Sequence, residues 1–305
     1  EAKAWLTDPL RYTGVSASGD MPQCRLPEAD VLKLIERGLV VNLEDGVVPA
    51  GFVRVFDVTE AHKGRRRRIS HTVTVNDTFG VDSTRKVVLP SLDDSDVCSS
   101  RARFQVQADL SAYFDQFRLA PDVRRFFCFR AGKRSLSLAS MAMGQRQAVF
   151  VAQTATEVLA DFPHANVEAQ IYIDNVRFTS TDSSAAMEAM QTFLQRCSEV
   201  GAPVNDISLI RPEQQGDWLG VHYDLERQTA KCASKVVEKL RKAKDLLNKV
   251  SITLRQLAAI LGVLVFAVRV LKLSVAQHFV AMKAMRELER FCTTGGNWRD
   301  KVQLF

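Results

Sequence analysis

Several features that define common protein classes are absent from this sequence. No apolar run approaches the roughly 18 residues of a membrane span, because the most apolar stretch, 257–271, is shorter and contains Arg269. No basic-then-apolar leader opens the chain, so we expect no secretory signal. The six cysteines lack Cys-x-x-Cys spacing, and the five histidines lack metal-ligand spacing. These absences predict an intracellular protein of the nucleus, the cytoplasm or an organelle, with no membrane partner, no zinc site and free thiols.

The composition is that of a globular protein with a moderate excess of positive charge. The 305 residues suffice for about two compact units. Lys and Arg number 41 against 35 Asp and Glu, which gives a net charge of +6. The basic residues concentrate in the run Arg65–Arg68 and in the stretch 235–249. Two basic zones suit a polyanionic partner such as a nucleic acid, but they are equally consistent with two solvated faces.

Hydrophobic periodicity predicts a mixed α/β region followed by helices. Apolar residues at helical spacing predict helices over 27–41, 146–161 and 184–200, and then only helices from residue 231 onward, over 236–250, 253–271 and 275–292. Ser251 or Thr253 is the expected N-cap of the middle one of these three. Strands are predicted over 47–58, 69–75, 104–110, 126–129, 169–173 and 176–179, and near 208–210 and 218–223. The acidic, serine-rich segment 91–103 is predicted to be a loop.

Two aspartates end predicted strands that lie far apart in the chain. Asp109 follows the strand that begins at Phe104, and Asp174 follows the strand that ends at Ile173. Two carboxylates at neighbouring strand ends can hold a pair of divalent cations, as a nucleic-acid polymerase requires for nucleotidyl transfer to a 3′-hydroxyl. The alternative is that each aspartate simply ends its strand at a turn, which is common.

Six segments, in the right order, resemble the motifs of reverse transcriptases. Residues 109–129 resemble the first catalytic motif with the segment after it, 141–153 the glycine-bearing helix motif, and Tyr172-Ile-Asp-Asn175 the Tyr-x-Asp-Asp turn. Residues 55–69 with Asn76 are similar to the fingers hairpin, 218–220 to the primer grip, and 252–264 to the thumb of retrotransposon polymerases.

The resemblance implies an α/β right-hand polymerase fold, with an α+β palm sheet, fingers and a helical thumb. Residues 1–104 would form an N-terminal segment and the fingers. Residues 105–228 would form the palm, with an inserted fingers segment at about 122–143. Residues 229–305 would form the thumb.

The resemblance also implies the site residues and their ligands. Asp109 and Asp174 would hold two Mg²⁺ ions, with Mn²⁺ as a substitute, beside the degenerate position Asn175. The residues implied in binding deoxynucleoside triphosphates are Lys63, Arg67, Leu110, Phe114, Gly144 and Gln145. The residues implied in binding an RNA template and DNA primer, or an RNA/DNA duplex, are Arg66, Arg68, Tyr172, Trp218, Leu219, Gly220, Lys235, Lys239 and Lys242.

Phe114 and the departures from the motifs leave alternatives open. A ring at position 114 would clash with a ribose 2′-hydroxyl and select deoxynucleotides, or it packs in the core as most phenylalanines do. Asn175 is neutral where the family has an acid, Glu60 stands where many relatives have a lysine, and 201–208 lacks the expected lysine.

These observations favour an enzyme, an RNA-directed DNA polymerase domain of a retroelement, which an RNase H domain or another domain could follow. The second hypothesis is a domesticated domain with weakened or lost catalysis that binds nucleic acid, or acts as a scaffold beside other proteins, in a ribonucleoprotein. A third, an RNA-templated RNA polymerase, is disfavoured by Phe114 and by the thumb resemblance.

Overall fold

The structure is a computed structural model. It describes residues 1–60, 64–77, 87–249 and 251–274, with the isolated positions 276, 279, 283–284, 286–287, 290–291 and 300–303. The predicted helix over 275–292 therefore lies largely outside the described residues, as do Lys63 and Cys292. Within the described part, no helix is both long enough and apolar enough to cross a bilayer. The five described cysteines are free thiols, as predicted.

The described residues form ten α-helices. In chain order these are α1 (Ala4–Thr7), α2 (Glu28–Glu36), α3 (Val73–Asn76), α4 (Leu92–Ser100), α5 (Tyr113–Gln116), α6 (Pro121–Arg124), α7 (Ala148–Ala160), α8 (Ser183–Glu199), α9 (Ser234–Leu247) and α10 (Leu254–Val270). The helices predicted over 27–41, 146–161 and 184–200 correspond to α2, α7 and α8. The first of these ends early, because Gly38 adopts a left-handed conformation and a strand follows.

The described strands number thirteen and form five small sheets. They are β1 (Val40–Asn42), β2 (Arg54–Glu60), β3 (Arg65–His71), β4 (Phe104–Asp109), β5 (Cys128–Ala131), β6 (Arg134–Leu138), β7 (Val167–Tyr172), β8 (Asn175–Ser180), β9 (Gln215–Trp218), β10 (Val221–Asp224), β11 (Thr229–Cys232), β12 (Ser251–Thr253) and β13 (Lys301–Gln303). The sheet orders are β1-β6-β5, β2-β3, β4-β8-β7, β11-β10-β9 and β12-β13.

The first 26 residues belong to the fold. Trp5, Tyr12, Val15 and Cys24 are buried in the same cluster as the side chains of β5 and β6. The Tyr12 side chain is fully buried; its hydroxyl donates to the Trp5 carbonyl at 2.6 Å and accepts from Gln145 Nε2 at 2.7 Å. This N-terminal segment therefore supports the turn that precedes α7.

A hairpin forms where the sequence predicts one, but its strands are 54–60 and 65–71 rather than 47–58 and 69–75, and Val73–Asn76 is helical. The run Arg65–Arg68, which we expected at the tip, lies in the second strand. β2 and β3 pair in antiparallel register from Arg54–His71 to Glu60–Arg65. Beyond β3, the Asn76 amide donates to the Gly144 carbonyl at 2.8 Å and its oxygen accepts from the Arg146 amide at 2.9 Å. These two bonds attach the hairpin to the turn before α7.

The central sheet, β4-β8-β7, has one apolar and one polar face. Val106 and Ala108 of β4, together with Val176 and Phe178 of β8, pack against α7 and α8. Because side chains alternate along a strand, the neighbouring positions point to the other face. There Gln105, Gln107, Arg177 and Thr179 meet α4 and the β9-β10-β11 sheet. Both faces of the sheet are covered by other elements, so only the ends of its strands are open to a ligand.

Arg177 is the largest group on the polar face and is fully buried. Its guanidinium donates to Ser99 Oγ at 3.0 Å and to Gln170 Oε1 at 3.2 Å. It lies 4.8 Å from the Tyr223 ring centroid and 5.8 Å from that of Trp218. Burial lowers its pKa to about 10, so it stays protonated at neutral pH. Neutral side chains and two aromatic faces thus hold a buried cation between α4 and the β9-β10 hairpin.

Three sequence expectations were wrong. Segment 91–103 contains α4, because Ser91 and Asp94 form a reciprocal capping box that starts a helix. Residues 207–209 form a 3₁₀ turn rather than a strand. The region after residue 231 is not entirely helical, since β12 pairs with β13. Thr253, one of the two predicted caps, does cap α10.

Replacing Tyr12 by phenylalanine tests the structural role of the N-terminal segment. Tyr12→Phe removes the hydrogen bonds that the hydroxyl makes with the buried Gln145 amide and with the Trp5 carbonyl, so we expect the free energy of unfolding to fall by about 1–3 kcal/mol. Chemical denaturation measures this. Tyr172→Phe is the matched control. The Tyr172 hydroxyl makes no hydrogen bond among the described residues, so this variant should change stability little. Equal effects of the two variants would contradict the assignment.

Candidate active site

The two aspartates predicted from the sequence meet at one edge of the central sheet. β4 and β8 pair in antiparallel register so that Asp109 lies opposite Asn175. One residue further on, the Leu110 amide donates to the Asp174 carbonyl at 2.8 Å. The main chain therefore brings together two carboxylates that are far apart in sequence.

Helix α7 holds the turn that carries Asp174. Ile173 has a positive φ of 61°, which is rare for a β-branched residue. Its amide donates to Gln153 Oε1 at 2.7 Å, and its carbonyl accepts from Thr156 Oγ1 at 2.6 Å. Two side chains of one helix thus fix both polar groups of the strained residue, and with them the position of the adjacent carboxylate.

The electrostatics of the pair suit a divalent cation. Burial, and then the negative charge of Asp109, raise the pKa of Asp174 above its ordinary value. Hydrogen bonds from its own backbone amide and from Asn175, and the charge of Arg67, oppose that rise. Among the described residues, no group of three or more His, Cys, Asp or Glu could hold a metal. Two carboxylates fit Mg²⁺, which is often held by one or two carboxylates, water and substrate phosphates.

Asn205 is a site residue that the sequence reasoning missed. Its Nδ2 donates to Asp109 Oδ2 at 2.6 Å, and its main-chain amide donates to the Asp109 carbonyl at 2.9 Å. On the other aspartate, Asn175 Nδ2 donates to Asp174 Oδ1 at 2.9 Å. The only signal in the sequence was the segment 201–208, which resembles a motif of the family but lacks its lysine.

A cleft of about 540 Å³ opens in front of the carboxylates. Its lining includes seven of the predicted residues, Arg66, Arg67, Arg68, Asp109, Leu110, Phe114 and Asp174. Phe114 is half-buried and packs against two core clusters while it lines the cleft. The ring therefore packs in the core and also lines the cleft, and its selection against a ribose 2′-hydroxyl stays a prediction.

Three arginines of the basic run, Arg66, Arg67 and Arg68, line the cleft, and their partners differ. Arg66 pairs with Asp30 at 2.6 Å and with Asp57 at 3.0 Å, and Arg68 pairs with Asp115. Arg67 is 3.5 Å from Glu60 and donates to Met143 Sδ at 3.1 Å. Because its charge also lowers the pKa of Asp174, Arg67 is the arginine of the three that acts electrostatically on the carboxylates.

Two predicted ligand contacts require correction. Gln145 is 2% exposed and its amide binds Tyr12, so it supports the fold behind the cleft. Trp218 is also 2% exposed and packs against Arg177, which leaves no open face of its ring for a primer. Leu219 and Gly220 form the adjacent turn, both with positive φ. Lys63 lies outside the described residues.

The remaining predicted contacts do not line the cleft. Gly144 approaches the hairpin so closely that an added Cβ would lie 3.2 Å from the Ser70 carbonyl oxygen. Tyr172 is half-buried at the end of β7 and packs in the cluster that contains Trp218. On α9, Lys235, Lys239 and Lys242 are exposed, and Lys242 pairs with Glu238 at 2.6 Å.

Solved structures resemble this fold over almost the whole chain. Foamy viral protease-reverse transcriptase in complex with double-stranded DNA matches at a TM-score of 0.64 and 14% identity, over 95% of this chain and 48% of that one. A second structure of the same viral protein with double-stranded DNA matches at 0.64 and 14%, over 90% and 60%. Its complex with an RNA/DNA hybrid matches at 0.59 and 15%, over 83% and 33%. The chain has a reverse-transcriptase-like fold.

The likeness is one of structure rather than sequence. The chain spans between about one third and three fifths of the length of these viral proteins. No protein-family model matches the sequence, and neither does any curated protein. The comparison thus supports the expected fold, and the assignments of the six motifs stay predictions.

Neutralising Asp174 should stabilise the protein in the absence of metal. Folding raises the pKa of the Asp174 carboxyl group. The contribution of this group to the free energy of unfolding therefore falls as the pH rises from its unfolded-state pKa to its folded-state pKa. At neutral pH the side chain is ionised and destabilises the folded state. We expect Asp174→Asn to raise Tm in chelator by about 1–3 °C. Thermal unfolding with EDTA, and then with Mn²⁺, measures this.

In the same experiment the wild type should gain Tm with Mn²⁺ and Asp174→Asn should not. Asp245→Asn, an exposed change on α9, is the control and should follow the wild type. A lower Tm of Asp174→Asn in chelator would mean that the carboxylate is stabilised by its surroundings.

Proposed function

We propose that this chain is the polymerase domain of a retroelement RNA-directed DNA polymerase. Residues 1–104 form the N-terminal segment and fingers, 105–228 the palm with its inserted fingers segment, and 229–305 the thumb. The observation that carries the proposal is the meeting of Asp109 and Asp174 at one sheet edge, in a cleft that Arg67 also lines.

The carboxylate pair supports nucleotidyl transfer. Asp109 and Asp174 would hold Mg²⁺, or Mn²⁺ in its place. When bound, a pair of these ions supplies Lewis-acid activation of the primer 3′-hydroxyl and stabilises the charge that develops on the leaving pyrophosphate. The chain's part is to fix the two carboxylates, through the β4-β8 register and the clamp of α7 on Ile173.

The cleft walls support binding of a deoxynucleoside triphosphate. Arg67 offers a planar, multi-donor guanidinium suited to phosphate oxygens. Arg67 lines the same cleft as Asp109 and Asp174, and its charge lowers the pKa of Asp174. Phe114 stands on the same wall, where its ring would exclude a ribose 2′-hydroxyl.

Exposed basic residues and the fold support a nucleic-acid duplex as partner. Lys235 and Lys239 lie exposed on α9, and phosphate contacts of this kind give sequence-independent, salt-sensitive binding. The viral proteins of similar fold have been solved with double-stranded DNA and with an RNA/DNA hybrid. We therefore propose an RNA template paired with a DNA primer as the substrate.

One observation favours a second candidate function, a domesticated nucleic-acid-binding domain with weakened catalysis. The turn carries Asn175 in place of an acid, and among the described residues only two carboxylates line up at the sheet edge, with no third metal-binding side chain beside them. A site with one negative charge fewer binds cations less tightly.

Primer extension separates the two candidates. On an RNA template with a DNA primer, we expect Mg²⁺- or Mn²⁺-dependent extension that falls about 10³-fold or more in Asp109→Ala, because the metal contribution is worth several kcal/mol. The Asp245→Asn control should extend as the wild type does. Duplex binding without extension, at any concentration of either ion, would support the binding module instead.

Restoring the missing acid measures what Asn175 costs. Asn175→Asp adds a carboxylate beside Asp174, so we expect the Mg²⁺ concentration for half-maximal extension to fall by about tenfold. Titrating Mg²⁺ at fixed primer and nucleotide concentration gives this value. A variant that needs as much Mg²⁺ as the wild type would mean that position 175 does not face the bound ions.

The size of Phe114 should control sugar selection. Phe114→Ala opens the cleft wall, and we expect the preference for deoxy- over ribonucleotides to fall by about 10- to 100-fold, the range that a small change of pocket size gives. Phe114→Tyr keeps the bulk and should keep the preference. Single-nucleotide incorporation with dNTP and rNTP pairs measures the ratio of deoxy- to ribonucleotide incorporation. Unchanged selectivity in Phe114→Ala would mean that the ring serves only to pack the core.

A further inference from the structure

Each carboxylate of the candidate site has one oxygen occupied by an asparagine amide. Asn205 Nδ2 donates to Asp109 Oδ2 at 2.6 Å, and Asn175 Nδ2 donates to Asp174 Oδ1 at 2.9 Å. Asp174 also accepts a hydrogen bond from its own backbone amide, whereas among the described residues Asp109 Oδ1 accepts none from a side chain and is available to a ligand. The two aspartates are thus similarly restrained, by neighbours of the same chemical type from different parts of the chain.

Main-chain bonds hold the segment that carries Asn205. Its amide donates to the Asp109 carbonyl at 2.9 Å, and the Ser111 amide donates to the Pro203 carbonyl at 2.8 Å. Leu110 and Val204 form an antiparallel bridge between these bonds. The segment 203–205 therefore runs antiparallel to 109–111. These main-chain bonds fix the position of Asn205, and they do not depend on its side-chain amide.

Asp109 needs such a restraint more than Asp174 does. Its side chain is exposed at the end of β4, whereas Asp174 is half-buried. In the described part of the chain, Asn205 is the one side chain that donates a hydrogen bond to Asp109. Without it, the carboxylate would be free to rotate about χ1 and χ2.

We propose that Asn205 is a positioning residue, which holds the Asp109 carboxylate with Oδ1 directed to a divalent cation in the cleft. This inference rests on the proposed function. A neutral amide orients the carboxylate and leaves its negative charge intact. A lysine at this place would neutralise that charge, and an aspartate would repel it.

Mn²⁺ affinity tests the inference without relying on activity. Free Mn²⁺ is measured by electron paramagnetic resonance during titration of the full chain, without nucleotide or nucleic acid. Groups that orient metal ligands typically contribute 10- to 100-fold to metal affinity, so Asn205→Ala should weaken Mn²⁺ binding by about that factor. Asn205→Leu keeps the side-chain volume without a donor and should weaken it equally.

Two controls separate loss of orientation from loss of fold. Asn248→Ala, an exposed change at the end of α9, should bind Mn²⁺ as the wild type does. Near-ultraviolet circular dichroism should show native packing in both Asn205 variants, because the main-chain bonds of 203–205 remain. If both variants lose that packing, Asn205 is a structural residue and the inference is overturned.

Asp109→Asn distinguishes failure of this inference from failure of the proposed function. Wild-type binding that is lost in Asp109→Asn but retained in both Asn205 variants would overturn the role of Asn205 and leave the polymerase proposal standing. Wild-type binding no stronger than that of Asp109→Asn would overturn both. Binding lost in Asp109→Asn and weakened in both Asn205 variants is the expected result.

Discussion

The candidate site depends on the antiparallel register between β4 and β8. That register places Asp109 opposite Asn175, and the hydrogen bond from the Leu110 amide to the Asp174 carbonyl extends it by one residue. A slip by one residue would turn every side chain of β4 to the opposite face of the sheet. The apolar residues Val106 and Ala108 would then leave the core formed with α7 and α8. Burial of one face of the sheet therefore fixes the geometry of the site at its edge.

The opposite face of the sheet is held by polar and aromatic contacts rather than by apolar packing. A buried guanidinium without a carboxylate partner among the described residues is costly, and Arg177 is compensated by Ser99, Gln170 and two aromatic rings. Arg177 lies two residues beyond Asn175 on β8, and the rings of Trp218 and Tyr223 belong to the β9-β10 hairpin. This cluster thus ties the hairpin to the strand that leads out of the candidate site, which explains why Trp218 is inside the protein.

The sequence predicted most of the local elements, because these follow from hydrophobic periodicity. It placed Asp109, Asp174 and Phe114 at the cleft and the hairpin beside it. The capping box of Ser91 and Asp94 was readable in the sequence but was outweighed by the polar composition of α4. The β12-β13 pair was not predictable, since three-residue strands depend on a partner about 50 residues away.

Two contacts that the sequence analysis missed join distant segments. Asn205 meets Asp109 across 96 positions, and Gln145 meets Tyr12 across 133. Neither contact leaves a periodic or motif-like trace, because a single amide satisfies it. Trp218 was placed with the correct hairpin but on the wrong side of it, since the partner that buries it, Arg177, lies on another strand.

In the proposed polymerase, the charge balance of the candidate site would couple the binding of a cation to the binding of a nucleotide. The sheet edge offers two carboxylates, each with one oxygen taken by an amide, and Arg67 adds a positive charge nearby. Such a site attracts a dication less than three carboxylates would. In the proposed polymerase, a triphosphate would bring oxygen ligands and negative charge of its own to the cleft that Arg67 lines. For the proposed polymerase, the cation and the nucleotide therefore raise each other's affinity, as thermodynamic linkage requires of two ligands that stabilise each other. In that proposal, the neutral Asn175 leaves part of the metal affinity to the substrate rather than to the protein.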